Sequence, residues 1–196
     1  MKMLVTGGNR GLGERLVNDF QATSISRSTG HNITSDCDEI ANYSLNYDVF
    51  INNAFDGPPH ESWANFGQVQ VLYKVYSAWK NANKKGWIIN IGSVGEKQIK
   101  EPEPSFETYR CAKAALAHAS KQCSMAFKNN IVPFRTSLIT LDRLDTELSR
   151  SRPTWTGNGI NLIDVVNFIK FGISCDNNTC IEEIVFYCNF HYDKNN

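Results

Sequence analysis

The stretch "KMLVTGGNRGLGERLVNDFQ" (residues 2–21) decides the architecture. Lys2–Thr6 is a short apolar run that stops at two glycines, as a buried strand does. Beyond the glycines, Leu12, Leu16, Val17 and Phe20 recur at helical spacing. Between strand and helix, "TGGNRGLG" (6–13) sets glycines at 7, 11 and 13. Glycine lets a backbone turn tightly and approach a ligand closely, and a helix N-terminus attracts negative charge. Strand, glycine turn and helix in this order make a site for the diphosphate of a nucleotide.

The rest of the chain repeats the alternation. "TSIS" (23–26) reads as a second strand, "HNIT" (31–34) as a third, and "DEIAN" (38–42) as a short helical turn. "YDVFINNA" (47–54) and "GWIINIG" (86–92) are nearly continuous apolar runs, expected of strands covered on both faces. The long helix 63–82 separates them, with Val69, Leu72, Tyr76 and Trp79 on one stripe. A second long helix, 105–129, opens near Ser105 and Thr108 and carries an apolar face of Ala112, Leu116, Ala119 and Cys123. Strand 131–140, helix 162–173 and strand 181–188 complete the order, and "SRPTWTGNG" (151–159) is a surface loop. The pattern predicts a single domain over 1–196, a doubly wound, mostly parallel sheet in three α/β/α layers.

Composition removes several classes of function. Twenty basic residues balance twenty acidic ones, so no footprint for nucleic acid or an anionic membrane stands out. The apolar runs fall short of the about 20 residues that a membrane span requires. The first residues enter a strand and a glycine turn, which is not the pattern of a signal peptide, so a soluble cytoplasmic protein is expected. The six cysteines include no C-x-x-C pair, and they read as small buried residues kept reduced, with no metal site.

Four motifs now stand in order: T-G-x3-G-x-G at 6–13, "NNA" at 52–54, Ser93 after the strand 86–92, and Tyr109-x3-Lys113 on the next helix. Together they resemble the short-chain dehydrogenase/reductase family over nearly the whole chain. The resemblance implies a Rossmann-type fold, a nicotinamide cofactor, and hydride transfer at a carbonyl or alcohol carbon of a small or medium substrate. It places Gly7, Asn9, Arg10, Gly11, Leu12 and Gly13 in the cofactor site, and Asn53 and Ala54 along the cofactor ribose. It places Asp36 or Asp38 at the adenine. "NNA" is followed by Phe55 where the family has glycine, a change either of packing or of cleft shape.

The family selects NAD with an acid after the second strand. "SISRST" (24–29) has none and offers Arg27 between Ser26 and Ser28, with Arg10 in the glycine turn. A guanidinium donates paired hydrogen bonds and keeps its charge, which suits a 2′-phosphate. NADP(H) is therefore expected over NAD(H).

The resemblance also implies the chemistry. Hydride addition to a carbonyl leaves an alkoxide that must take a proton. Tyr109 would be the acid/base, and Lys113, one helical turn on, would lower its pKa and hold the ribose. Ser93 would hydrogen-bond the substrate oxygen, and Asn65 would hold a relay water. The spacing from Ser93 to Tyr109 is longer than usual, and the excess falls in "EKQIKEPEP" (96–104). Leu141-Asp142 stands in the place of the family's Pro-Gly, while Thr146 keeps the position of a nicotinamide-binding threonine. Trp155 would either line a substrate pocket or seal a core gap. The alternative reading is a catalytically silent dinucleotide-binding regulator or scaffold. A homodimer or homotetramer through helices 63–82 and 105–129 is expected in either case.

Overall fold

The computed structural model describes residues 1–55, 66–97, 107–153, 155 and 157–189. Six strands form one sheet: β1 Met3–Thr6, β2 Thr23–Ile25, β3 Val49–Asn52, β4 Gly86–Ser93, β5 Phe134–Leu141 and β6 Glu183–Phe186. Their spatial order is β2-β1-β3-β4-β5-β6. Every pairing is parallel, including β6, so the sheet is wholly rather than mostly parallel. The chain moves outward from β1 to β2 and then returns to the other side of β1 as β3. That reversal opens a crevice above the C-terminal ends of β1 and β3, where open α/β sheets take ligands.

Helices α1 Gly11–Phe20 and α6 Leu162–Ser174 cover one face. Helices α2 Cys37–Ser44, α3 Gly67–Asn81 and α4 Glu107–Lys128 cover the other. Alternate residues of a strand face opposite sides, so Leu4 and Phe50 enter the core under α3 while Val5 and Ile51 enter the core under α1 and α6. This two-sided burial is why β3 and β4 read as unbroken apolar runs. Trp79 and Trp87 are fully enclosed, and each indole N–H finds a hydroxyl: Ser44 at 2.9 Å and Ser137 at 2.8 Å.

Three expectations are corrected. Residues 31–34 form no strand. Only a 3-10 turn, Arg27–Thr29, separates them from β2, too short a crossover to return a parallel strand to the sheet. Polar side chains bend the segment instead: the Asp36 carboxylate accepts the Asn32 N–H at 2.7 Å, and the Asn32 amide oxygen accepts that of Thr34 at 2.8 Å. The buried stripe of α3 runs through Gln68, Val71, Leu72, Val75 and Trp79, with Val69 and Tyr76 only half-buried at its margins. Among the cysteines, Cys37 and Cys123 are buried and Cys175, Cys180 and Cys188 half-buried, but Cys111 is exposed. It shares the solvent face of α4 with Ala114 and His118, at the helical spacing of three and four. Asn65, Ser105 and loop residues 98–104 lie outside the described residues.

Candidate active site

The glycine turn sits on the crevice above β1 and β3. Gly7 and Gly11 have φ of +71° and +57°, values that side chains other than glycine's rarely tolerate. A Cβ on Gly13 would lie 2.1 Å from the Gly7 carbonyl oxygen, and one on Gly7 would lie 2.9 Å from Ala54. Gly8, which the motif spacing does not single out, is equally constrained by Ser24 and Val17. Asn53 fixes the turn from the end of β3, its amide donating to the Thr6 and Gly7 carbonyls. The α1 N-terminus at Arg10 has no side-chain cap, so its first amides remain available to an anion.

The end of β2 is tied to this turn. The Asn9 amide donates to the Ser28 hydroxyl, while Ser26 reaches both Ser28 at 2.9 Å and Asn9 at 3.3 Å. Arg10 and Arg27 lie exposed beside this cluster. Across the crevice the Thr146 methyl stands 3.5 Å from where a Gly11 Cβ would be. Thr146 also caps the short helix α5, Glu147–Arg150, by accepting the Ser149 N–H. The structure thus brings Gly7, Asn9, Gly11, Gly13, Ser26, Ser28, Asn53, Ala54 and Thr146 around one crevice, while Leu12 buries its side chain in the core under α1 and α6. Asp36 and Asp38 are otherwise engaged: Asp36 accepts from Asn32 and Ser35, and Asp38 pairs with Lys74 at 2.7 Å.

At 141–142, where the resemblance would place Pro-Gly, the chain uses a carboxylate. Asp142 donates its N–H to Phe186 O at 3.0 Å, and its side chain accepts the Arg143 N–H at 2.8 Å. The turn after β5 is therefore built by side-chain acceptance instead of proline restriction. Trp155 is half-buried and lies against Gly159, with the Arg143 guanidinium 6.0 Å from its ring centre.

At the C-terminal end of β4, the Ser93 hydroxyl faces the Tyr109 phenol and acts on its proton. The Gly95 N–H donates to the Ser93 hydroxyl at 3.2 Å and fixes its direction. Lys113 lies one turn beyond Tyr109, its ammonium 5.8 Å from the tyrosine ring centre and 5% exposed. Phe55 joins them, edge-on to Tyr109 at 5.0 Å and beneath the lysine ammonium at 5.6 Å. The extra aromatic after "NNA" is therefore a wall of the site.

The electrostatics differ from expectation. Burial pushes Tyr109 above its ordinary value, opposed by the Ser93 hydrogen bond and the positive charge of Arg152. Burial also pulls Lys113 down to about 7, opposed by the charge of Glu96. Lys113 is not among the groups that lower Tyr109. Its ammonium is turned to Gln68 Oε1 at 2.7 Å and Ile91 O at 2.9 Å. Gln68 and Glu96 are the two residues that sequence reasoning missed. Gln68 sits on a helical stripe that reads as core, and Glu96 in a charged loop that reads as surface. Among the described residues no cluster of His, Cys, Asp or Glu could hold a metal, and no helix is long and apolar enough to cross a membrane.

No protein-family model matches the sequence, and no curated protein matches it. Solved structures do match the fold. A short-chain dehydrogenase from Burkholderia cenocepacia J2315, in complex with NADP, is similar at a TM-score of 0.70 and 19% identity, covering 95% of this chain and 90% of its own. A β-ketoacyl-[ACP] reductase from Bacteroides thetaiotaomicron matches at 0.69 and 19% identity, covering 96% and 97%. A 4-hydroxyisoleucine dehydrogenase complexed with NADH matches at 0.67 and 19%, covering 95% and 97%. The fold of this chain is that of solved short-chain dehydrogenases and reductases.

Proposed function

We propose that the protein is an NADP(H)-dependent oxidoreductase that reduces a carbonyl group of a small or medium substrate. The observation that carries this reading is the convergence of Ser93, Tyr109 and Lys113 beside a glycine crevice at the sheet's switch point. Two features fit a dinucleotide: the uncapped α1 N-terminus for its diphosphate, and the Asn9–Ser26–Ser28 cluster with Arg10 and Arg27 for a 2′-phosphate. When bound, NADPH supplies the hydride. Ser93 holds the substrate oxygen, and Tyr109, kept protonated by burial, donates its proton to that oxygen as charge develops there. Lys113, one helical turn beyond the tyrosine, holds the cofactor ribose, and Asn65 belongs to the same reading as a relay residue.

The test is a binding titration of NADPH against NADH, followed by NADPH oxidation with aldehydes, ketones and keto acids. NADPH is expected to bind more tightly by tenfold or more, and Arg27→Ala to remove most of that preference. Equal affinity for the two cofactors in the wild type would refute the arginine argument.

One observation favours a second reading, a silent dinucleotide-binding protein. The Phe55 ring packs on both Tyr109 and Lys113, which narrows the catalytic cleft. NADPH binding without turnover of any carbonyl class would select it. Either reading includes pairing of two copies through α3 and α4, whose outer faces expose Tyr73 and Met125. Sedimentation at micromolar concentration should give a dimer or tetramer, and a monomer would remove this part of the proposal.

A further inference from the structure

Lys113 is held by a residue that none of the motifs contains. We propose that Gln68 is the positioning residue of the catalytic lysine, clamping its ammonium by a direct hydrogen bond from the first turn of α3. The inference deepens the oxidoreductase reading and rests on it for the role of Lys113.

The geometry leaves Gln68 one orientation. Its side chain is 2% exposed. The Nε2 amide donates to Asn52 O, at the end of β3, at 2.9 Å. Its Oε1 accepts from Lys113 Nζ at 2.7 Å. Reversing the amide would face a carbonyl with a carbonyl and an NH2 with an ammonium, losing both bonds. Asn52 locks the backbone in turn, donating to Gln68 O at 2.8 Å and to Asn90 Oδ1 at 2.9 Å. Strand β3 thus holds α3, and α3 presents one carbonyl to Lys113. Ile91 O, on β4, supplies the second acceptor at 2.9 Å. An ammonium has three donors, so one N–H remains for the Tyr109 side of the site.

The clamp also acts on protonation. Burial works against the charged lysine, and an acceptor aimed at the ammonium favours it. The other charged or titratable groups facing this region are Glu96, from the 3-10 turn after β4, and Tyr109, on which Arg152 also acts. Glu96 is itself surrounded by Glu183, Lys97 and Lys121. Gln68 contributes no charge, so its effect is separable from theirs.

The experiment compares Gln68→Met with Gln68→Glu by NMR of the full chain labelled with 15N-lysine, the Lys113 signal being assigned by its loss in Lys113→Met. Both variants lose the Nε2 donor to Asn52, so a merely structural role would disturb them alike. Only Gln68→Glu keeps an acceptor. Lys113 should lose about tenfold or more in proton affinity in Gln68→Met and should match or exceed the wild type in Gln68→Glu. An unchanged Lys113 in Gln68→Met, or equal shifts in both variants, overturns the proposal. If the variants fail to fold, a crystal structure of the wild type decides it: Lys113 Nζ beyond hydrogen-bond reach of Gln68 Oε1 refutes the clamp. The readout does not depend on turnover, so it can fail while carbonyl reduction succeeds, and the reverse.

Discussion

Replacing Tyr109 with phenylalanine should lower NADPH-linked carbonyl reduction by about 10²–10⁴-fold, the range that a positioned acid/base contributes, and leave NADPH affinity unchanged. The substitution removes one oxygen and keeps the ring, so the edge contact with Phe55 survives. Ser93 keeps its direction, because the Gly95 N–H still donates to its hydroxyl. The loss would therefore report the proton and not a collapse of the cleft. Steady-state kinetics with a cofactor titration measure both quantities. Turnover above a tenth of the wild type would exclude Tyr109 as the proton donor.

The second large effect is on stability. Lys113 titrates at about 7 in the folded chain, against an ordinary value of 10.5. Between these values the unfolded chain holds a proton that the folded chain has released. Stability therefore rises with pH from about 7 toward 10.5, and the lysine's cost to the fold is fully present below pH 7. Over the whole window that cost is on the order of 3–5 kcal/mol. Cys123 acts oppositely above about pH 9, because its buried thiol is raised to about 12 while unfolded chains ionise. The clean interval is pH 7–9, and the comparison is wild type against Lys113→Met by urea unfolding. Wild-type stability should gain on the variant across that interval, by about half a kcal/mol per pH unit near pH 7 and rising to about 1 kcal/mol per pH unit by pH 9. Parallel curves would mean that Lys113 is not a buried, half-titrated group. The same variant should also lose carbonyl reduction, since the amine that holds the cofactor ribose in the proposed function is gone.

What could be read before the fold and what could not divide along physical lines. The alternation of elements, the glycine turn and the order of Ser93, Tyr109 and Lys113 are carried by local signals. Hydrophobic periodicity reports which faces are buried, a positive φ demands glycine at 7 and 11, and i,i+4 spacing sets Tyr109 and Lys113 on one helical face. Residues 31–34 read as a strand in the sequence because an apolar isoleucine between polar residues fits a strand or a bend equally well. The bend is decided by the Asp36 and Asn32 side chains, which accept the Asn32 and Thr34 N–H groups, and by a crossover too short to return.

By itself, then, the sequence determined an α/β layered fold with a diphosphate-type turn and a tyrosine–lysine pair on the helix after β4. Only the tertiary structure decided how that pair is set. It aimed a buried glutamine from α3 at the lysine, laid Phe55 against both residues, and brought Phe186 of β6 to accept the Asp142 N–H after β5. The clamp on Lys113 joins residues 45 positions apart in the chain, and the burial that lowers its pKa comes from the packing around it. Hydrogen-bond direction and desolvation at that distance exist only once the sheet has brought α3 and α4 together.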